Sequence, residues 1–132
     1  MPGCAVRPAR AADEAACAAV ARQVHGFDRQ AERAEAVGQG TALVVERAGR
    51  ITGYASALGL TGHAVAEADQ DLQALIASAE GFHGPGILVP TRNPVLFRWC
   101  LDQGLRVIQP MTLMSLGRYS EPAGAWLPSV SY

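Results

Sequence analysis

The chain has 132 residues, 49% hydrophobic and 17% charged, which excludes a disordered chain and fits one domain over residues 1–132 with one core. All eleven cationic residues are arginines scattered along the chain and the net charge is -1, so a nucleic-acid partner is not expected. No apolar run approaches the ~20 residues that cross a bilayer, and the three cysteines lack disulfide spacing. We therefore expect a cytoplasmic protein with no membrane partner.

The first half of the chain predicts a strand, two helices and a hairpin. "CAVRPA" is typical of a short strand, and the next segment has apolar residues at helical spacing, at Cys17, Val20 and Val24. A polar segment, "RQAERAEAV", predicts a surface helix. "TALVVERAGRITGYASALG" predicts two strands joined near Gly49, with Gly53 marking a bulge or a close backbone approach.

The second half predicts strands that alternate with helices. "GHAVAE" is a short strand candidate, and "DQDLQALIASAEG" predicts a helix. "GILVPT" is apolar enough for an interior strand. Asn93 as N-cap, Pro94 as first helical residue and Gly104 past the end delimit the next helix. "LRVIQPMTLMSLG" predicts a last strand, and residues 118–132 predict an irregular tail. This order indicates an α/β domain with flanking helices and a mixed sheet of about six strands.

Two sets of segments carry a resemblance to a known superfamily. "NPVLFRWCLDQGL" resembles the late segment of the GNAT superfamily of acyl-CoA-dependent N-acyltransferases. "AVRPA", "GRITGYA", "GHAVAE", "LVPTRN" and "EPAGAWLPSVSY" resemble the C-terminal domain of tandem two-domain GNAT proteins, and the similarity runs from Ala5 to Tyr132. The resemblance implies a GNAT-like domain with a splayed sheet, which transfers an acyl group from acyl-CoA, with acetyl-CoA as cofactor, to the amine of a small molecule or peptide.

The resemblance also implies where the cofactor binds. In the superfamily, backbone N–H groups of a glycine-rich turn after the fourth strand hold the pyrophosphate at the start of a helix. Val65 on that strand is a candidate cofactor-binding residue. Thr91, Arg92 and Asn93 are further candidates, because ligands commonly bind where the carboxyl end of a strand meets a helix N-terminus; alternatively, Asn93 only caps the helix and Arg92 is solvated. The corresponding turn, "VAEADQDLQAL", has no glycine and carries Glu67, Asp69 and Asp71. Each close contact between like charges at ~4 Å costs about 4 kcal/mol at an effective dielectric of ~20, which disfavours the usual pose.

Three residues are candidates for catalysis. His63 and Glu67 are candidate bases for an amine acceptor, or alternatively a strand-end histidine bound to the backbone and an acid at a helix N-terminus. Cys100 stands where the family commonly has a tyrosine acid, and its spacing from Leu96 and Phe97 also suits a small buried hydrophobic residue. His25 and His83 have no partners at metal spacing, so no metal site is expected.

Two functions follow from these features. The first is an N-acyltransferase with His63 or Glu67 as base and Cys100 as acid. The second is a non-catalytic binding or pairing module, which in tandem relatives is the domain that leans on an active neighbour. For a chain of this length, pairing predicts a homodimer, or pairing with another GNAT domain, that buries the edge strand and the tail from Trp126.

Overall fold

The computed structural model describes residues 3–26, 30–82, 84–112 and 122–129. Within these ranges the chain forms five strands, four α-helices and a short 3-10 turn at Ala11–Asp13. The strands are β1 (Cys4–Pro8), β2 (Leu43–Arg47), β3 (Arg50–Ala55), β4 (Ala64–Ala66) and β5 (Ala125–Leu127). The helices are α1 (Glu14–His25), α2 (Gln30–Gln39), α3 (Asp69–Ala77) and α4 (Pro94–Asp102). None of the described helices is both long and apolar enough to span a membrane.

The strands form one sheet in the order β1-β2-β3-β4-β5, and each neighbouring pair is antiparallel. The α/β class is therefore confirmed. The prediction of a mixed sheet with about six strands is wrong for the described residues, which form a five-stranded antiparallel sheet. The difference lies in part at β4, whose second edge pairs with β5, an antiparallel strand from the segment predicted to be an irregular tail.

The helices cover both faces of the sheet. Cys17, Val20 and Val24 of α1 pack with Tyr54 and Val65 on one face. On the other face, apolar residues of α3 and α4 pack against the alternate positions of the same strands, among them Leu72, Leu75, Leu96, Ala55 and Ala66. Because side chains alternate along a strand, consecutive residues of β4 belong to different faces. The two faces therefore have separate cores.

Local signals set the boundaries of α4 as predicted. The Asn93 side chain accepts a hydrogen bond from the Leu96 N–H at 3.1 Å, and Pro94 begins the helix. Gly104, with φ of 92°, follows the end. The hairpin of β2 and β3 is also confirmed, with a register shift at Val45 opposite Gly53. A Cβ on Gly53 would lie 2.8 Å from Ala66 Cβ, which is the predicted close approach.

Two predicted strands are absent from the described residues. Residues 86–91 form no strand, and Pro90 among them lacks the N–H that a ladder hydrogen bond needs; Ile87 and Val89 nevertheless pack on the core. Residues 105–112 also form no strand, and residues 113–117 of that predicted segment lie outside the described ranges. The prediction of an irregular tail is wrong at Ala125–Leu127, which forms β5.

β5 is held against β4 by close backbone contact. Val65 lies between Tyr54 of β3 and Trp126 of β5, so β4 has a strand on each side. A Cβ on Gly124 would lie 2.6 Å from the Ala66 carbonyl oxygen, so the chain entering β5 leaves no room there for a side chain. The Ala123 N–H donates to the Val24 carbonyl at 2.7 Å and fixes this segment to the end of α1.

Candidate functional site

The most concentrated set of chemically active side chains surrounds His63. The imidazole is 2% exposed, and its Nε2 lies 3.1 Å from the Tyr54 hydroxyl. Its Nδ1 is in close contact with the Glu32 carboxylate of α2. The rings of Tyr54 and His63 meet edge to face, with their centroids 5.5 Å apart. The structure thus places one imidazole between a carboxylate and a phenol.

A buried arginine extends this set. Arg33 is 1% exposed and its guanidinium donates to the Glu14 carboxylate at 2.5 and 3.0 Å. It also donates to the Tyr54 hydroxyl at 3.3 Å and lies over the Tyr54 ring, 5.1 Å from its centroid. We call Glu14, Glu32, Arg33, Tyr54 and His63 the buried polar network. Opposite charges and hydrogen bonds compensate the burial of Arg33, Tyr54 and His63, while Glu14 and Glu32 are partly exposed.

The chemistry that this network can perform is proton transfer. A carboxylate that holds one ring nitrogen fixes the tautomer and orientation of an imidazole, and the other nitrogen exchanges a proton with a hydroxyl. Tyr54 and His63 are both buried, so this nitrogen faces Tyr54 and not an open surface. A crevice of about 200 Å³ reaches Glu32 and Ser56, and Ser56 Oγ accepts a hydrogen bond from the His63 N–H at 3.0 Å.

The side chain of Glu67 does not contact that of His63. Four residues of extended chain separate them, roughly 13 Å along the strand. The Glu67 carboxylate instead receives two hydrogen bonds of 2.7 Å from Arg50. Its pKa is lowered, chiefly by the hydrogen bond from Arg50, which makes Glu67 a weaker base. The carboxylate that sequence reasoning sought beside His63 is therefore Glu32.

Cys100 lies on the opposite face of the sheet from His63. It is buried in the core of α3 and α4 together with Leu96, whereas Tyr54 and Val65 belong to the core under α1. Burial raises the pKa of the Cys100 thiol, so it holds its proton more tightly than an exposed thiol. The contacts are those of a small core residue, and they do not bring Cys100 to His63.

Arg92, Asn93, Glu67 and Asp69 line an open groove of about 560 Å³ with Trp126 on its far side. Asn93 Nδ2 donates to the Asp69 carboxylate at 2.6 Å, so one side chain caps α4 and ties it to the start of α3. Thr91 is exposed in the preceding turn and does not line the groove. The structure brings together the junctions before α3 and α4, and the groove between them carries both signs of charge.

The predicted cofactor position can be tested against these contacts. In extended backbone, peptide groups of alternate residues point to the same side of a strand. The His63 carbonyl and the Glu67 N–H bond to β3, so the groups of Ala64 and Ala66 face β5, and Val65 has strands on both sides. Asp71 is buried and binds Arg47, but Glu67 and Asp69 remain at the groove. These residues do not fit acetyl-CoA at the edge of β4.

Sequence reasoning missed Glu14, Glu32, Arg33 and Tyr54. The polar helix was predicted to lie on the surface, yet Arg33 within it is fully buried. The pattern "AERAEA" gives no periodic signal for such a residue, because its partners come from α1 and β3. Only Tyr54, a large aromatic residue in a predicted strand, offered a local signal.

Comparisons of the chain with protein-family models, with curated proteins and with solved structures gave no match.

Proposed function

We propose that this chain is a GNAT-like pairing module, a domain that binds a second copy of itself. The observation that carries the proposal is an exposed apolar segment after α4. Val107, Ile108 and Met111 are 60%, 71% and 58% exposed. Apolar side chains of this size that are exposed together are typical of protein–protein interfaces.

The covered edge of β4 supports the module over a transferase. In the superfamily that the sequence resembles, the cofactor lies beside the fourth strand and its pyrophosphate meets the next helix. Here β5 takes the place beside β4, and Glu67 and Asp69 flank the start of α3. If the domain is GNAT-like, these residues would stand where the superfamily binds its cofactor, which supports the module.

A second copy is the partner that the resemblance favours. The C-terminal domain of tandem relatives leans on a domain of the same fold, and a second copy of this chain supplies such a domain. Most soluble oligomers are homo-oligomers, and a two-fold interface places the same patch on both subunits. The exposed apolar segment would then face its own counterpart.

Sedimentation velocity at tens of micromolar tests the pairing. We expect the natural chain to sediment as a dimer, with twice the chain mass of 13.9 kDa, and the double variant Val107→Asp/Ile108→Asp to sediment as a monomer. Ala15→Asp/Ala19→Asp is the matched control, because it adds the same two charges at exposed positions of α1, on the other face of the sheet. A natural chain that stays monomeric at this concentration contradicts the proposal.

An N-acyltransferase that acts on an amine is the second candidate, and the contact of His63 with Glu32 favours it. A neighbouring carboxylate is the usual means by which a protein strengthens an imidazole as a proton acceptor, and an amine nucleophile must lose a proton. His63 would take that role and Glu32 would orient it.

Calorimetric titration with acetyl-CoA separates the two candidates. If the chain is a pairing module, we expect the natural chain not to bind acetyl-CoA. Micromolar binding would instead favour the transferase. The control is Glu67→Gly/Asp69→Gly, which removes both carboxylates from the groove without touching the buried polar network. Binding by this variant alone would show that the acidic residues exclude the cofactor.

A further inference from the structure

Helix α2 is attached to the domain mainly by polar contacts. Of its ten residues, only Arg33 and Ala36 are buried. In comparison, α1 buries five residues, all apolar, against the sheet. Burial of apolar area is the main source of docking energy for a helix. It therefore contributes little to the attachment of α2 to the domain.

The contacts that hold α2 come from two adjacent residues of the buried polar network. Arg33 binds Glu14 of α1 and the hydroxyl of Tyr54. Glu32 contacts Nδ1 of His63. Hydrogen bonds and ion pairs are directional, so a small displacement of α2 breaks these contacts together.

A crevice already runs along the seam between α2 and the sheet. Its volume is about 200 Å³. Glu32, Glu35, Ala36 and Gln39 of α2 line one wall, and Thr41, Ser56, Ala57, Thr61 and Gly62 line the other. Ser56, one of these lining residues, accepts a hydrogen bond from the backbone N–H of His63 at 3.0 Å, so the crevice adjoins His63.

From these three observations we propose that α2 is a lid over Tyr54 and His63. Its outward movement separates Glu32 and Arg33 from the two rings and widens the crevice until it reaches them. The movement uncovers Ala36 of α2 and one side of Tyr54, while the other members of both cores remain packed. The lid is independent of the pairing proposed above, which rests on the exposed apolar segment after α4.

Amide hydrogen exchange of the full chain tests the lid. We expect the amides of α2 to exchange at least about ten-fold faster than those of α1 and α3, because they open without unfolding of the cores. Glu32→Gln should raise the amide exchange rate of α2 by about a further ten-fold and leave the rates of α1 and α3 unchanged, since it weakens the charge-assisted contact of Glu32 with His63. Glu35→Gln is the matched control, because Glu35 lies exposed on the same helix and accepts a hydrogen bond from exposed Gln39.

Modification by diethylpyrocarbonate provides a second measurement, with labelled histidines located by mass spectrometry. We expect slow modification of His63 in the natural chain at a rate that matches the opening of α2, and faster modification in Glu32→Gln. The lid is refuted if α2 exchanges as slowly as α1 and α3, or if Glu32→Gln accelerates all three helices equally. Should that variant fail to fold, the exchange rates of the natural chain decide.

Discussion

Replacement of Gly124 by alanine tests the pairing of β5 with β4. The added Cβ would lie 2.6 Å from the Ala66 carbonyl oxygen and 3.0 Å from Val24 Cγ2, where ordinary contacts are 3.4–4 Å. Gly124 does not have a positive φ, so alanine strains the contact and not the backbone conformation. The segment is also tied down by the hydrogen bond from Ala123 to Val24, which limits its movement.

The magnitude follows from the overlap. Relief of the contact needs a shift of at least 0.8 Å, the difference between 3.4 and 2.6 Å. The atom to be moved belongs to the backbone of a central strand, so a side-chain rotation cannot absorb the shift. Overpacking of this kind costs about 1–3 kcal/mol of the free energy of unfolding. For a domain of this length, that corresponds to a fall of roughly 3–10 °C in Tm.

Urea unfolding followed by circular dichroism measures the loss, and amide exchange locates it. The peptide groups of Ala64 and Ala66 face β5, so their N–H groups should lose protection while those bonded to β3 keep theirs. Gly81→Ala is the control: it has no atom within 4 Å of the added Cβ and no positive φ. We expect this variant to stay within about 0.5 kcal/mol of the natural chain.

Equal free energies of unfolding for Gly124→Ala and Gly81→Ala would refute the argument. Such a result would mean that β5 does not pack on β4 in solution and that the edge of β4 is open. The main support for a module over a transferase would then be lost.

Three further predictions concern single side chains. Asn93→Ala removes the cap of α4 and its bond to Asp69, so we expect a loss of about 1 kcal/mol in urea unfolding; an unchanged midpoint would contradict this role. The hydrogen bond from Arg7 lowers the pKa of Asp13 from 3.8 to about 2, so the stability it adds is present above pH 3.8 and disappears as the pH falls through about 2. The unfolding free energy of Asp13→Asn should therefore fall less steeply with pH over this range than that of the natural chain. Parallel curves of unfolding free energy against pH would show that the Arg7–Asp13 pair adds no stability. Burial raises the pKa of Cys17 to about 11 and also raises that of Cys100, so a disulfide reagent at pH 8 should label these two thiols only after unfolding, whereas Cys4 is partly exposed. Rapid labelling of Cys17 or Cys100 in the folded chain, located by mass spectrometry, would contradict their burial.

The parts of the fold that depend on neighbours in sequence could be predicted. Asn93, Pro94 and Gly104 delimit α4 because capping is a matter of a few adjacent backbone groups. The hairpin of β2 and β3 followed in the same way from its turn and its alternating residues. The pairing of β5 could not be predicted: three residues between prolines and glycines give no strand signal, and their partner lies far back in the sequence.

The candidate site shows the same division. His63 could be selected from the sequence because an imidazole at the end of an apolar strand is unusual. Its acidic partner was sought nearby, at Glu67, but the partner in space is Glu32, on a helix that precedes the hairpin. The burial of Arg33 had no signal either, since an arginine in a polar helix looks the same whether it faces solvent or a carboxylate.

The pairing of β4 with β5 also has a consequence for the order of folding. It joins residues about 60 positions apart, whereas the other neighbouring strands of β2, β3 and β4 are joined by short connections. The contacts of a strand of only three residues must compensate the entropy that is lost when this loop closes. We therefore expect the sheet from β1 to β4 to assemble first and β5 to dock last. During that interval the edge of β4 is exposed and able to pair with another chain, which makes it the place where misassembly would begin.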